Sequence, residues 1–215
     1  MKEKNDVKVM LKEAGILFAI TLLAGLLLGF VYEVTKEPRK QQQEKMIQDA
    51  CVAVFPEAVS KDANLQFEVI EYTPGMELQE ELLQNAVSIG KVYTAKDVSR
   101  DSTLYGYVVE AISGKGYGGR IVLYVGVAAD GTVCGVSITE ISETPGLGME
   151  APNVLVPQFA GKQVEKFVYT KTGASSENEV DAITSATITT KAVTNAVNGG
   201  LAAATELLKG GSENE

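Results

Sequence analysis

The chain has 215 residues, 45% of them apolar and 22% charged, enough for a hydrophobic core and too apolar for a disordered chain. Its formal net charge of −9 would repel nucleic-acid phosphates. With no histidine and only two cysteines, it cannot build an imidazole base, a His-ligated haem, a Cys₄ zinc site or a conventional iron–sulfur centre.

Residues 1–13 form a short tail of mixed charge. Ala14 to Tyr32 then runs for 19 residues without a charge. At about 1.5 Å per residue this spans the roughly 30 Å of a bilayer core, so residues 14–34 read as one transmembrane helix. A cleaved signal peptide would have a shorter apolar region and a small-residue cleavage site, and none follows Phe30. Lysines and arginines balance on the two sides of the span and leave its orientation open. Residues 35–60 read as a polar connector, with Pro38 and a glutamine run, followed by a short amphipathic helix over Met46–Val54 that ends near Pro56. Removing residues 1–35 should leave a soluble, folded domain.

The domain is expected over 61–209, with a flexible tail at 210–215. Alternation in LQFEVIEY, Leu65–Tyr72, predicts a strand; residues 76–90 read as helix or loop, and VYTAKDV from Val92 as another strand. LYGYVVEAI, RIVLYVGVAA and TVCGVSITEI predict an antiparallel meander, its last two strands joined by a type I′ turn at Asp130-Gly131. Gly114, Gly116 and Gly119 satisfy G-x-G-x-x-G formally. A β-branched run follows where a dinucleotide site needs a helix, so the loop is either a flexible turn or a wall open to a flat ligand. Cys51 and Cys134 lie far apart in helical and strand-like settings and read as small buried hydrophobes. The fold class is therefore α+β: a single transmembrane helix, then an antiparallel sheet with packed helices.

Next comes SETPGLGME, Ser142–Glu150, a loop turning at Pro145-Gly146 and again near Gly148. About forty residues later DAITSATITTKAV, Asp181–Val193, sets a run of hydroxyls directly before an apolar face at Val193, Ala196, Val197, Leu201, Ala204 and Leu208. A helix start of this kind is either a simple N-cap or an anion site, because unpaired N–H groups and the positive dipole end converge there.

D-A-I-T-S-A-T resembles the flavinylation motif D-x-x-(S/T)-G-A-T, whose last threonine a flavin transferase esterifies to the phosphate of FMN; Ser185 stands where that motif has glycine. The ordered series Gly-Tyr-Gly-Gly, Asp-Gly, E-T-P-G-L-G and D-x-x-T-S-A-T resembles the FMN-binding domain of two related subunits. These are the G subunit of Rnf-type electron-transport complexes and the C subunit of the sodium-pumping NADH:quinone reductase, with length and motif form favouring the former. The resemblance implies covalent FMN on Thr187 and Asp181 as the motif's first residue. It implies phosphate partners among Thr184, Ser185, Ala186, Thr189 and Thr190, with Lys191 offsetting charge. Glu143, Thr144, Gly146, Leu147 and Gly148 would border the flavin, with Gly116 and Tyr117 on the other wall. It further implies an electron relay inside an ion-translocating ferredoxin:NAD⁺ oxidoreductase, facing outside the cytoplasm at the cell membrane. Its partners would be membrane and iron–sulfur subunits, membrane lipid and a flavin transferase, with no nucleic acid, no metal and no independent active site. The alternatives are the quinone-reductase C subunit, a stand-alone extracytoplasmic flavin carrier, and a structural membrane subunit without cofactor.

Overall fold

The computed structural model describes residues 2–61, 63–100 and 102–212. Two compact units divide the chain, Met1–Lys45 and Met46–Glu215.

The first unit is helical. It lies within helix α1, Lys2–Ala53, so the N-terminal tail expected over 1–13 is helical from Lys2, and Met1 lies outside the described residues. The expected polar connector at 35–44 is helical too. Gln41 to Lys45 are good helix formers, and Pro38 removes only one backbone donor, a cost the flanking turns absorb. The helix is long and apolar enough to cross a membrane, and its most apolar window buries nothing against protein. Leu17, Phe18, Leu26, Leu28 and Phe30 are all exposed, which in water would be unfavourable and in lipid is not. Thr21 returns its hydroxyl to the carbonyls of Leu17 and Phe18, at 3.0 Å each, so its polar side chain does not go unpartnered within the span.

The second unit begins with the last turns of α1 and a short helix α2, Pro56–Ser60. Strand β1 (Leu65–Ile70) leads through helix α3 (Met76–Asn85) into β2 (Val87–Asp97), which starts five residues before the expected VYTAKDV strand. Ala86, at φ +50°, is the left-handed residue that ends α3 and turns the chain into β2. Strands β3 (Thr103–Ser113), β4 (Ile121–Ala128) and β5 (Val133–Glu140) complete an antiparallel sheet in the order β1-β2-β3-β4-β5. The G-x-G-x-x-G segment thus links two antiparallel strands.

The turn between β4 and β5 is not type I′. Gly131 alone has positive φ, +88°, and its N–H donates to the Ala128 carbonyl at 2.9 Å. Asp130 instead accepts the Thr132 N–H on its carboxylate at 2.9 Å, which holds it in an ordinary backbone conformation. The result is a type I turn closed by a glycine bulge.

After β5 come short helical turns, Gly148–Glu150, α4 (Ala151–Val154) and Val156–Gln158. A parallel pair, β6 (Val168–Thr170) with β7 (Glu179–Asp181), precedes the long helix α5, Thr187–Ser212. The tail expected from 210 is helical to Ser212; residues 213–215 lie outside the described residues. The short pair carries three residues per strand, too few for alternation to be read from sequence.

Both faces of the sheet are covered, which explains why β4 is buried almost without interruption. On one face Val193, Ala196, Val197, Leu201 and Ala204 of α5 pack on Val109, Leu123 and Val125. On the other, Ala50, Cys51, Val54 and Phe55 pack on Tyr93, Val108 and Tyr124. Here two glycines matter. Gly126 and Gly135 are cross-strand partners, and a Cβ on either would come within 2.9 Å of Val54. Together they open a slot in which the end of α1 seats against backbone. Neither cysteine is in a disulfide, and burial pushes Cys51 up to about 12 and Cys134 to about 11, which disfavours the thiolate at neutral pH.

This packing sharpens the truncation expectation. A chain starting at Met46 should fold and melt cooperatively. One starting at Glu57 loses the fully buried Val54 and Phe55, on the order of 5 kcal/mol, which rivals the stability of a whole domain. Thermal melts of the two fragments compare them; a cooperative melt for the shorter one would show the slot to be dispensable.

Candidate functional site

The site is assembled where the loop after β5 meets the start of α5. Ile183 to Ala186 make a tight turn, with the Ala186 N–H donating to the Ile183 carbonyl at 3.0 Å. Thr190 stitches that turn to the helix. Its hydroxyl accepts the Ile183 N–H at 3.1 Å and donates to the Ala186 carbonyl at 2.9 Å. Thr190 is fully buried and its oxygen is spent on backbone, so it does not face the cleft described below. Thr187 is the first residue of α5, half-buried, and the N–H groups of Thr187, Ile188 and Thr189 precede any i−4 carbonyl of the helix.

Ser185 has φ +63°, one of three non-glycine residues in the left-handed region among those described. Glycine adopts that conformation without steric cost, whereas serine pays about 1–2 kcal/mol. Ser185→Gly should therefore stabilise the fold by up to about 1 kcal/mol after the entropy of glycine is deducted, raising Tm by a few degrees. A calorimetric Tm equal to or below that of the parent would contradict this.

Beside the helix start is an open cleft of about 480 Å³. That volume is of the size that holds a small-molecule cofactor. Tyr117 lines it from the glycine loop; Glu143, Thr144, Leu147 and Gly148 line it from the E-T-P-G-L-G loop; Ser185, Ala186, Thr187 and Thr189 line it from the helix start. Ile188 also lines it, and sequence reasoning passed it over. The available signal was its place in the first helical turn, where a 53% exposed isoleucine has no core to join. Tyr117, 70% exposed, gives the cleft a second apolar surface.

Glu143 ties these segments together. It is buried, and its Oε2 accepts from the Thr189 hydroxyl at 2.9 Å. Its Oε1 accepts from the Gly118 N–H at 3.3 Å, and its own N–H donates to Met149 Sδ at 3.4 Å. Gly148 must lack a side chain to permit this, since a Cβ there would lie 2.5 Å from Thr189 Oγ1 and 2.8 Å from Glu143 Cβ.

Other sequence-predicted residues lie elsewhere. Thr184 is exposed and outside the cleft lining, and Gly146 serves the turn with φ +72°. Gly116 sits behind Glu143, its Cα so close that a Cβ would be 2.7 Å from Oε1. Lys191 lines a neighbouring cleft with Lys115 and Asn195; Ile188 separates the two by bordering both. Asp181 points away from the cleft. Its carboxylate accepts the Ala174 N–H at 2.6 Å, and its backbone exchanges hydrogen bonds with the Gln158 amide at 2.6 and 3.2 Å. It organises the loop after β6.

The cleft falls within the segment that matches a family model, the FMN-binding domain, over residues 116–202. Over nearly its whole length the chain is similar to the G subunit of the Na⁺-translocating ferredoxin:NAD⁺ oxidoreductase complex of Acetobacterium woodii, 35% identical across 92% of both chains. That match settles the family. The chain belongs to the G subunits of Rnf-type ion-translocating oxidoreductase complexes. A second G subunit, from the proton-translocating complex of Clostridium ljungdahlii, is 31% identical over 86% of this chain and 90% of its own. Among solved structures, NqrC of Shewanella oneidensis superposes with a TM-score of 0.56, covering 79% of this chain and 99% of its own. At 19% identity that likeness concerns the fold alone, so the quinone-reductase alternative has no support comparable to the G-subunit matches.

The residues present suit FMN. A hydroxyl at the first helical position opens on the cleft beside N–H groups that favour phosphate, and Leu147, Ile188 and Tyr117 offer apolar surface to a flat ring.

Proposed function

We propose that this G subunit carries one FMN, esterified through its phosphate to Thr187 Oγ, and relays electrons within an ion-translocating ferredoxin:NAD⁺ oxidoreductase. The observation that carries the reading is the position of Thr187: first residue of a 26-residue helix, half-buried, with its neighbours on both sides lining the cleft.

When bound, FMN supplies one- and two-electron chemistry, and the protein's part is to hold and surround it. Thr187 Oγ would hold the phosphate. A flavin transferase would form the Oγ–P bond from a flavin donor, as the hydroxyl proton is lost and the donor's leaving group departs from phosphorus. The N–H groups of Thr187 to Thr189 would hold that phosphate, aided by the positive end of the helix dipole. Leu147, Ile188 and Tyr117 would bear on the ring, while Ser185 and Thr144 add polar groups to the cleft lining. No residue pair is required for acid–base catalysis, so the subunit contributes to the translocase as a carrier.

Helix α1 anchors it once in the membrane, with the flavin domain outside the cytoplasm among iron–sulfur and multi-span subunits. A tether suits that location, because a dissociable cofactor would be lost to bulk, whereas an esterified one stays at high local concentration. The test is the intact mass of protein purified from its native membrane. It should exceed the sequence mass by one FMN less one water, and flavin absorbance should stay with denatured protein. A mass equal to the bare chain would overturn the assignment in favour of a subunit without cofactor.

A further inference from the structure

We propose that Glu143 sets the reduction potential of the flavin, as a buried negative charge beside the ring, an inference that rests on the FMN assignment above. Glu143 is only 9% exposed yet lines the cleft. Its two oxygens meet a hydroxyl and a backbone N–H, and among the described residues no lysine or arginine nitrogen lies within 4 Å of them. Buried carboxylates ordinarily have a cationic partner, because desolvating an unpaired charge is costly.

Basic groups on the neighbouring elements are turned to other uses. Lys115 donates to the Gln84 carbonyl at 2.9 Å, and Arg120 makes two 2.7 Å bonds to Glu140. Lys191 lines the adjoining cleft. The other titratable groups nearby bring no positive charge: Tyr117 shares the cleft, and Glu150 accepts from the Asn153 amide at 3.2 Å. The positive end of the α5 dipole is the remaining counter-charge, and it is also where an anion would bind.

Glu143 and Thr187 line the same cleft, so a ring that fills it from a phosphate tethered at Thr187 lies beside the Glu143 carboxylate. The oxidised ring is uncharged. An electron added to it meets a like charge in a site partly shielded from water, where such repulsion is weakly screened. Reduction is thereby disfavoured, and the potential lies lower than the ring's surroundings would otherwise set it. Thr189 and Gly118 hold the carboxylate in place and so keep the effect fixed.

Spectroelectrochemical titration of the full-length flavinylated protein in detergent measures this. Glu143→Gln keeps an acceptor for Gly118 and a polar group for Thr189 while removing the charge, so its potential should be more positive than the parent's with FMN still attached. Glu143→Asp and Glu143→Asn form a second pair, equal in length and different in charge; the asparagine variant should again be the more positive. A brace without an electrostatic role would make the members of each pair equal in potential, and that result overturns the proposal. If glutamine prevents folding, the Asp/Asn comparison decides alone. A parent protein without flavin would instead refute the FMN assignment, and this inference with it.

Discussion

Thr187→Val should abolish covalent flavinylation while leaving the fold intact. Valine keeps the branched shape of threonine and removes only the oxygen that bears the ester. The site is half-buried at the first helical residue, where the hydroxyl holds no hydrogen bond among the described residues. Stability should therefore change by less than about 1 kcal/mol. Co-expressed with a flavin transferase, the parent should gain the mass of one FMN less one water and the variant none, a complete loss by intact mass and by in-gel fluorescence. Thr184→Ala should retain the cofactor, since Thr184 is exposed and outside the cleft. Thr190→Ala should retain it in part, because losing that oxygen strips the Ile183 N–H of its partner and loosens the turn. A flavinylated valine variant, or an ester mapped to Thr184 or Thr190 by peptide mass spectrometry, would refute the attachment.

Gly148→Val should disrupt the cleft while sparing the attachment. Even the Cβ alone would stand 2.5 Å from Thr189 Oγ1 and 2.8 Å from Glu143 Cβ, both buried and unable to swing into solvent. Overpacking of this kind costs about 1–3 kcal/mol, which for a chain of this size lowers Tm by several degrees. The Thr189–Glu143 hydrogen bond should break and the cleft walls separate. The expected signature is an FMN that remains covalently bound, with a shifted absorption band and an altered midpoint potential. A variant whose spectrum, potential and Tm match the parent would make the loop ordinary structure.

The two variants differ in what they ask of the site. The first removes an atom that carries the cofactor and should leave the walls untouched. The second leaves that atom in place and moves the walls. If both lost FMN equally, the cleft geometry and not the hydroxyl alone would govern attachment.

Much of this protein is legible in local patterns. The uncharged run Ala14–Tyr32 needs only length and composition to be read as a span. The apolar spacing from Val193 to Leu208 specifies one face of a helix, and that face is the one α5 buries against the sheet. Alternation and turn residues likewise mark β1 and the β3–β5 meander, since both depend on the period of a strand and the angles of glycine. The order of the loop and threonine motifs resembles that of an FMN-binding domain, and the family match over residues 116–202 agrees with that resemblance.

Other features depend on groups distant in sequence, or on which of two local preferences the folded chain selects. Pro38 looks like a break, yet strong helix formers beyond it carry α1 through. Asp130-Gly131 looks like a type I′ turn until the Asp130 carboxylate captures the Thr132 N–H. Thr184, Thr187, Thr189 and Thr190 are alike as sequence. Packing alone divides them: Thr184 outside the cleft, Thr187 and Thr189 lining it, and Thr190 committed to backbone. Glu143 and Thr189 are 46 positions apart, and Gly118 is 25 from Glu143. Hydrogen bonds act over about 3 Å, so only the folding of loop onto helix could bring these three together.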